Sequence, residues 1–216
     1  MATGAPPAPE RRQLIGASLQ RWLDDLEEAA PDPVAAFRNI EVGRFLTVRR
    51  EIRRRMTTGA APAIVPQLAA LAAALDEVVA RLPEAAFDEP GGEGDWSVAE
   101  TIGHDAHARA GLSLAAALAA SGRWPQGTPA VVPGVPGAGA ASRADLRRRI
   151  ATSQRAIERA ARTIEGHETE PCPLEHPWVG RLRCGEWLLF AGVHDLMHLE
   201  QLHRLEARFA ANAARP

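Results

Sequence analysis

Three histidines carry the most specific chemistry in this sequence: His104, His194 and His198. His194 and His198 stand four residues apart in Val193-His194-Asp195-Leu196-Met197-His198. On a helix this spacing sets the imidazoles about 40° apart around the axis and one turn apart along it, as two ligands of one ion require. The face they occupy decides between ligands and surface residues. Phe190, Ala191, Met197, Gln201, Leu202 and Leu205 fall within about 80° of His194 on the helical wheel, whereas Asp195, Glu200, His203 and Glu206 lie outside that arc. The pair therefore belongs to a mainly apolar stripe that must face a core. Buried imidazoles are costly unless something satisfies them. Hydrogen bonds to carbonyls or carboxylates would suffice for a lone histidine, while two at this spacing point to a divalent metal.

His104 supplies a third donor from a separate segment, beside Gly103, which permits close approach of a neighbouring helix. A pair from one helix and a single ligand from another is how metal sites in helix bundles are commonly built. Three neutral imidazoles leave a coordination position for water or substrate, the mark of a catalytic rather than a structural site. His107, one turn after His104, reads as a rim histidine or an indirect helper. Asp105 and Asp195 could orient a ligand imidazole, but each adjoins a ligand in sequence, so they are expected to point elsewhere, into solvent. Gln201 is better placed than Glu200 to assist on the histidine face. His167, His176 and His203 read as surface residues. The run Arg49-Arg50-Glu51-Ile52-Arg53-Arg54-Arg55 reads as a solvated helix face. Cys184 would start the last helix, about 15 Å along the axis from His194.

These residues need helices to position them, and the sequence reads as all-α. Apolar periodicity marks Arg11–Ala29 and Val34–Met56, an N-terminal hairpin interrupted by Pro31-Asp32-Pro33 and followed by Thr57–Pro62 as a linker of Gly, Ala, Thr and Pro. Ile64–Leu82 repeats Leu68, Leu71, Leu75 and Val78 at helical spacing and stops before Pro83. Ser97-Val98-Ala99-Glu100 is a capping box that opens a helix running to about Ala120. Ser142-Arg143-Ala144-Asp145 resembles a second cap, for a helix ending near Glu165. The last helix is expected over Cys184–Ala210. The Pro/Gly-rich segment Gly122–Gly139 is longer than ordinary connections and reads as disorder, or else as a lid carrying Trp124. Strand signals are nearly absent.

Composition excludes several classes. All 25 basic residues are arginine, the net charge is −2, and no basic excess marks a nucleic-acid binder. The N-terminus MATGAPPAPE lacks an apolar signal core, and apolar runs such as Leu68–Leu75 fall short of the ~20 residues a membrane span needs. A cytoplasmic protein with Cys172 and Cys184 as reduced thiols is the expectation.

Trp96-Ser97 at a helix start, Gly103-His104 seven residues on, and His194-Asp195-Leu196-Met197-His198-Leu199-Glu200-Gln201-Leu202 on the last helix resemble the DinB-like superfamily of metal-binding four-helix bundles. The resemblance covers about Ala61–Phe209. It implies an up-down-down-up bundle over 61–216, with residues 1–60 as an added helical hairpin. It further implies a Zn, Ni or Fe(II) ion on His104, His194 and His198, a homodimer, and a small-molecule substrate. Relatives of that kind look like S-transferases or isomerases using a low-molecular-weight thiol, or like hydrolases. The functional expectation is therefore a metal-dependent thiol transferase or hydrolase. Its rival is a non-catalytic, stress-associated metal-binding or helical interaction protein.

Overall fold

Two reciprocal caps start the helices on which the chain is organised. Ser97 Oγ accepts from the Glu100 N–H (3.2 Å), and the Glu100 carboxylate accepts from the Ser97 N–H (2.7 Å). Ser142 and Asp145 form the second such box. Each satisfies donors that a helix start otherwise leaves orphaned. The computed structural model describes residues 21–40, 45–92, 94–127, 130–132, 134–137, 139 and 141–213. In chain order there is a helical stretch over 21–27, then α1 (Pro31–Phe37), α2 (Phe45–Arg55), α3 (Ala61–Arg81), α4 (Val98–Ala120), α5 (Arg143–Ile164), β1 (Pro171–His176), β2 (Gly180–Arg183) and α6 (Cys184–Ala213).

Side-chain ties fix the directions of the four long helices. Arg143 near the start of α5 donates to the Leu82 carbonyl just past α3 (2.5 Å), and Arg147 pairs with Asp76 (2.7 Å), so α3 and α5 are antiparallel. Glu168, just ahead of α6, accepts from the Ala61 N–H at the start of α3, and Arg81 at its end pairs with Glu206, so α3 and α6 run parallel. Gln201 reaches back to the Gly91 carbonyl before α4, while Arg109 further along α4 meets Asp195, so α4 and α6 are antiparallel. The result is an up-down-down-up bundle in which consecutive α3 and α4 are diagonal. The α4–α5 pair, parallel and adjacent, needs the long 121–142 crossover. Leu68, Leu75, Ile102, Ile157, Trp187 and Leu199 fill the centre, each at most 1 % exposed.

Several expectations are corrected. Val34–Met56 is two helices, α1 and α2, and α1 already starts at Pro31, whose fixed φ suits a first turn. The helix gives way to a turn at Arg38-Asn39-Ile40, where the Asn39 and Ile40 N–H groups bond the Ala36 and Phe37 carbonyls. Of Arg11–Ala29, residues 11–20 lie outside the described residues. Trp22, Val34, Ile52 and Met56 are buried in the same core as the bundle. The chain also contains an antiparallel hairpin, β1–β2, that the sequence reading missed. Pro171 and Pro173 disguised β1, since proline cannot donate to a ladder, although Cys172 and Leu174 alternate inward with exposed neighbours. The 122–139 segment is not free of structure where it is described. The Val132 N–H donates to Glu175 O (2.9 Å), and the Gly137 N–H donates to Glu100 O (3.0 Å). Finally, α3 is by length and composition apolar enough to cross a membrane, but it packs against α5 and α6 inside the core.

Candidate metal centre

His104 sits two turns into α4, and His194 and His198 sit one turn apart on α6, where the two antiparallel helices face each other. One ring nitrogen from each histidine lies within 4.8 Å of the others. Ring centroids are 5.3 Å apart for His104–His194, 5.4 Å for His104–His198 and 4.5 Å for His194–His198. His194 and His198 are buried, and His104 is half-buried against Trp96.

Each imidazole has its Nδ1 against an acceptor. His104 Nδ1 lies 2.7 Å from the Val135 carbonyl, His194 Nδ1 3.1 Å from the Asp105 carboxylate, and His198 Nδ1 3.0 Å from Gln201 Oε1. With the proton assigned to Nδ1 by these partners, every ring keeps its lone pair on Nε2. The Nε2 atoms of His194 and His198 then face each other at 3.3 Å with no proton to share. Two lone pairs so placed repel, and a cation between them removes the conflict. A tetrahedral ion with bonds of about 2.0–2.1 Å holds its ligand atoms about 3.3–3.4 Å apart, so the donor set fits such an ion. Burial, with the neighbouring His198 also contributing, brings the His194 pKa down to about 4 against the opposing pull of Asp105, so the ring is neutral at neutral pH.

Asp105 and Asp195 are corrections: neither is solvated, and both are buried. Asp105 follows His104 on α4 but points across to His194. Asp195 meets Arg109 of α4, which is itself fully buried and also donates to Ser153 (3.1 Å), Gln154 (2.9 Å) and Leu68 O (3.1 Å). Burial pushes the Asp195 carboxyl up, and the charge on Asp105 adds to this. Burial also acts to raise Asp105, but His194, His198 and Arg109 outweigh it and hold that carboxyl low. Asp105, His194 and Asp195 also converge closely enough for a metal, yet the Arg109 guanidinium already supplies the cation there. Sequence adjacency misled the reading. The better signal was that Ile102, Asp105, Arg109, Leu112 and Ala116 form one 3-4-3-4 core stripe, in which a charged pair demands partners.

A cavity of about 290 Å³ opens beside His104 and His194, between α4, the β-hairpin and the Val132–Val135 stretch of the crossover. His107 is exposed at its rim. His176, expected on the surface, is half-buried in its wall, and Trp124, the residue of the alternative lid reading, is not among the residues that line it. His203, also expected on the surface, is partly buried and stacks on Trp22 (5.0 Å). His167 is exposed and meets Glu170. Glu200 pairs with Arg204 on the outside, while Gln201 touches His198. In the arginine run, Arg53 is not simply solvated, because it pairs with the buried Glu186 (2.8 Å). Cys172 and Cys184 are free thiols.

No curated protein and no solved structure is significantly similar to this chain. A family model described as the DinB superfamily matches residues 67–202, a span that begins in α3 and takes in His104, His194 and His198. On a match over more than half its length, the chain belongs to the DinB superfamily.

Proposed function

We propose that this chain is a divalent-metal-dependent enzyme acting on a small electrophilic substrate, with His104, His194 and His198 holding one Zn, Ni or Fe(II) ion through Nε2. The observation that carries this reading is the convergence of three imidazoles whose opposite nitrogens are all fixed by acceptors. When bound, an ion in such a site supplies Lewis acidity and lowers the pKa of a thiol or water that shares it. An all-imidazole donor set suits those three metals and discourages magnesium or calcium, which prefer oxygen.

The chain's own residues do the rest. Asp105, Gln201 and the Val135 carbonyl hold the rings in one tautomer and orientation, as partners of metal-bound histidines do. His104 and His194 both border the cavity, so a molecule seated there lies against the ligands. That opening supports turnover over storage, because purely structural sites are closed by their own ligands. Of the two co-reactants, a low-molecular-weight thiol is favoured over water by the family resemblance.

Metal analysis of the purified full-length protein tests the reading. About one ion per chain is expected in the wild type, as one three-histidine site allows, with loss of that ion and unchanged helical circular dichroism in His194→Ala. A screen of mycothiol, bacillithiol and glutathione with a chromogenic electrophile should then show turnover that a chelator abolishes. A wild-type protein that takes up none of the three metals would overturn the proposal.

A further inference from the structure

The cavity's walls carry information about its occupant that the metal chemistry alone does not. Its apolar surface comes from Ala108, Leu112 and Ala115 of α4 and Leu174 of β1, with the indoles of Trp96 and Trp178 also lining it. Among the described residues that line it, none is arginine, aspartate or glutamate, and its polar side chains are all histidines. The nearest buried charges, Arg109, Asp105 and Asp195, interact with one another or with His194 beneath it. We propose that this cavity binds an uncharged, largely apolar molecule built on one or two aromatic rings, with its polar end towards His104 and His194. As the substrate of the proposed enzyme, this ligand rests on the metal-dependent reading above.

Three observations support the assignment. The first is charge. A carboxylate or ammonium in the body of the cavity would leave water without meeting a counter-charge, and that is costly. His176 does not provide one, because burial brings its pKa down to about 4. The Trp178 main-chain N–H donates to its Nδ1 (3.2 Å), which leaves the proton on Nε2 and makes the ring a neutral donor. The second is size. An apolar cavity of about 150 Å³ accommodates benzene, so 290 Å³ suits two fused rings or one substituted ring. The third is the aromatic character of the lining. Trp178 stays 51 % exposed, edge-on to His176 at 5.4 Å, and offers ring surface for a flat ligand to cover.

Isothermal titration calorimetry of the full-length protein with three probes of one shape tests this: 2-naphthol, 2-naphthoate and 2-naphthylmethylammonium. The carboxylate comparison is read after chelator treatment, so that coordination to an ion cannot assist it. At neutral pH 2-naphthol should bind at least about tenfold more tightly than either ion, the order of loss an unpaired charge brings. Ala115→Phe, which fills the cavity about three turns from His104, should weaken 2-naphthol by about tenfold while metal content stays at the wild-type level. Gly111→Leu, at a helical position where an added Cβ meets nothing within 4 Å, is the second filling variant should the first fold poorly. Equal or tighter binding of either ion overturns the proposal, as does undetectable binding of all three probes. Unchanged 2-naphthol affinity in both filling variants overturns it too. Loss of the metal-dependent reading would show instead as absent metal in the same preparation, with the ranking of the probes intact.

Discussion

An imidazole can serve a metal with one nitrogen only while the other is held, and the three holders here differ in strength. A main-chain carbonyl faces His104, an amide oxygen faces His198, and a buried carboxylate faces His194. Asp105 is the strongest of these because it adds charge to the hydrogen bond, which opposes the loss of basicity that burial imposes on His194. Asp105→Asn keeps the shape and an acceptor but removes the charge. It should weaken metal affinity by roughly 10–100-fold with helix content intact, as read by competition against a chromophoric chelator. Wild-type affinity in this variant would reduce Asp105 to a packing role. The convergence of the three histidines was legible in the sequence: spacing and an apolar stripe mark His194 and His198, and the place of His104 after the Trp96-Ser97 cap supplies the third. Asp105, Arg109 and Asp195 were not, because a helix lets neighbouring residues reach different partners, and only the assembled α4–α6 pair shows which.

The elements divide the same way. The long helices could be read because capping boxes and apolar repeats are local signals, and the structure starts α4 and α5 directly after Ser97 and Ser142. The β-hairpin and the crossover escaped because their order comes from contacts distant in sequence. The described part of the crossover is strapped to Glu175 on one side and to Glu100 on the other. Gly137 makes the second tie possible: a Cβ there would lie 2.5 Å from both the carbonyl carbon of Gly103 and the nitrogen of His104. Backbone atoms cannot give way to that approach, so Gly137→Ala must lift the strap and with it the Val135 carbonyl from His104. The expected outcome is weaker metal binding and faster proteolysis within 121–142, with a melting temperature close to wild type because the bundle core is untouched. A variant with unaltered metal affinity and cleavage rate would show that the strap does not orient His104.

At the scale of the whole molecule, two half-buried histidines tie stability to pH. Burial brings the His176 pKa from 6.5 to about 4. It also lowers His203, although Glu206 opposes the shift. Below about pH 6.5 the unfolded chain takes up protons that the folded one refuses, so stability falls from there towards pH 4 and is independent of these groups above. His176→Asn should flatten that slope in chemical denaturation, and an identical slope would exclude a contribution from His176. The N-terminal helices bear on stability more heavily. Gly185 and Gly192 of α6 leave room for the N-terminal segment, since a Cβ at these positions would lie 3.0 Å from Met56 and 3.1 Å from Pro33. Val34, Ile52 and Met56 are at most 1 % exposed, and Arg53 reaches the fully buried Glu186. Each such apolar side chain is worth up to about 1.5–3 kcal/mol when covered. Without them Glu186 would lose the Arg53 ion pair and keep, among the described residues, the Arg183 main-chain N–H (2.9 Å) and its guanidinium at 3.6 Å. A protein beginning at Ala61 should therefore melt about 10 °C or more below the full chain, at roughly 2–4 °C per kcal/mol for a domain of this size, or self-associate through the bared face of α6. It should still bind metal, because the histidine cluster lies between α4 and α6 and draws no ligand from the removed helices. Matching melting temperatures and elution volumes for the two proteins would refute this, and would mean that α1 and α2 cover α6 without stabilising it.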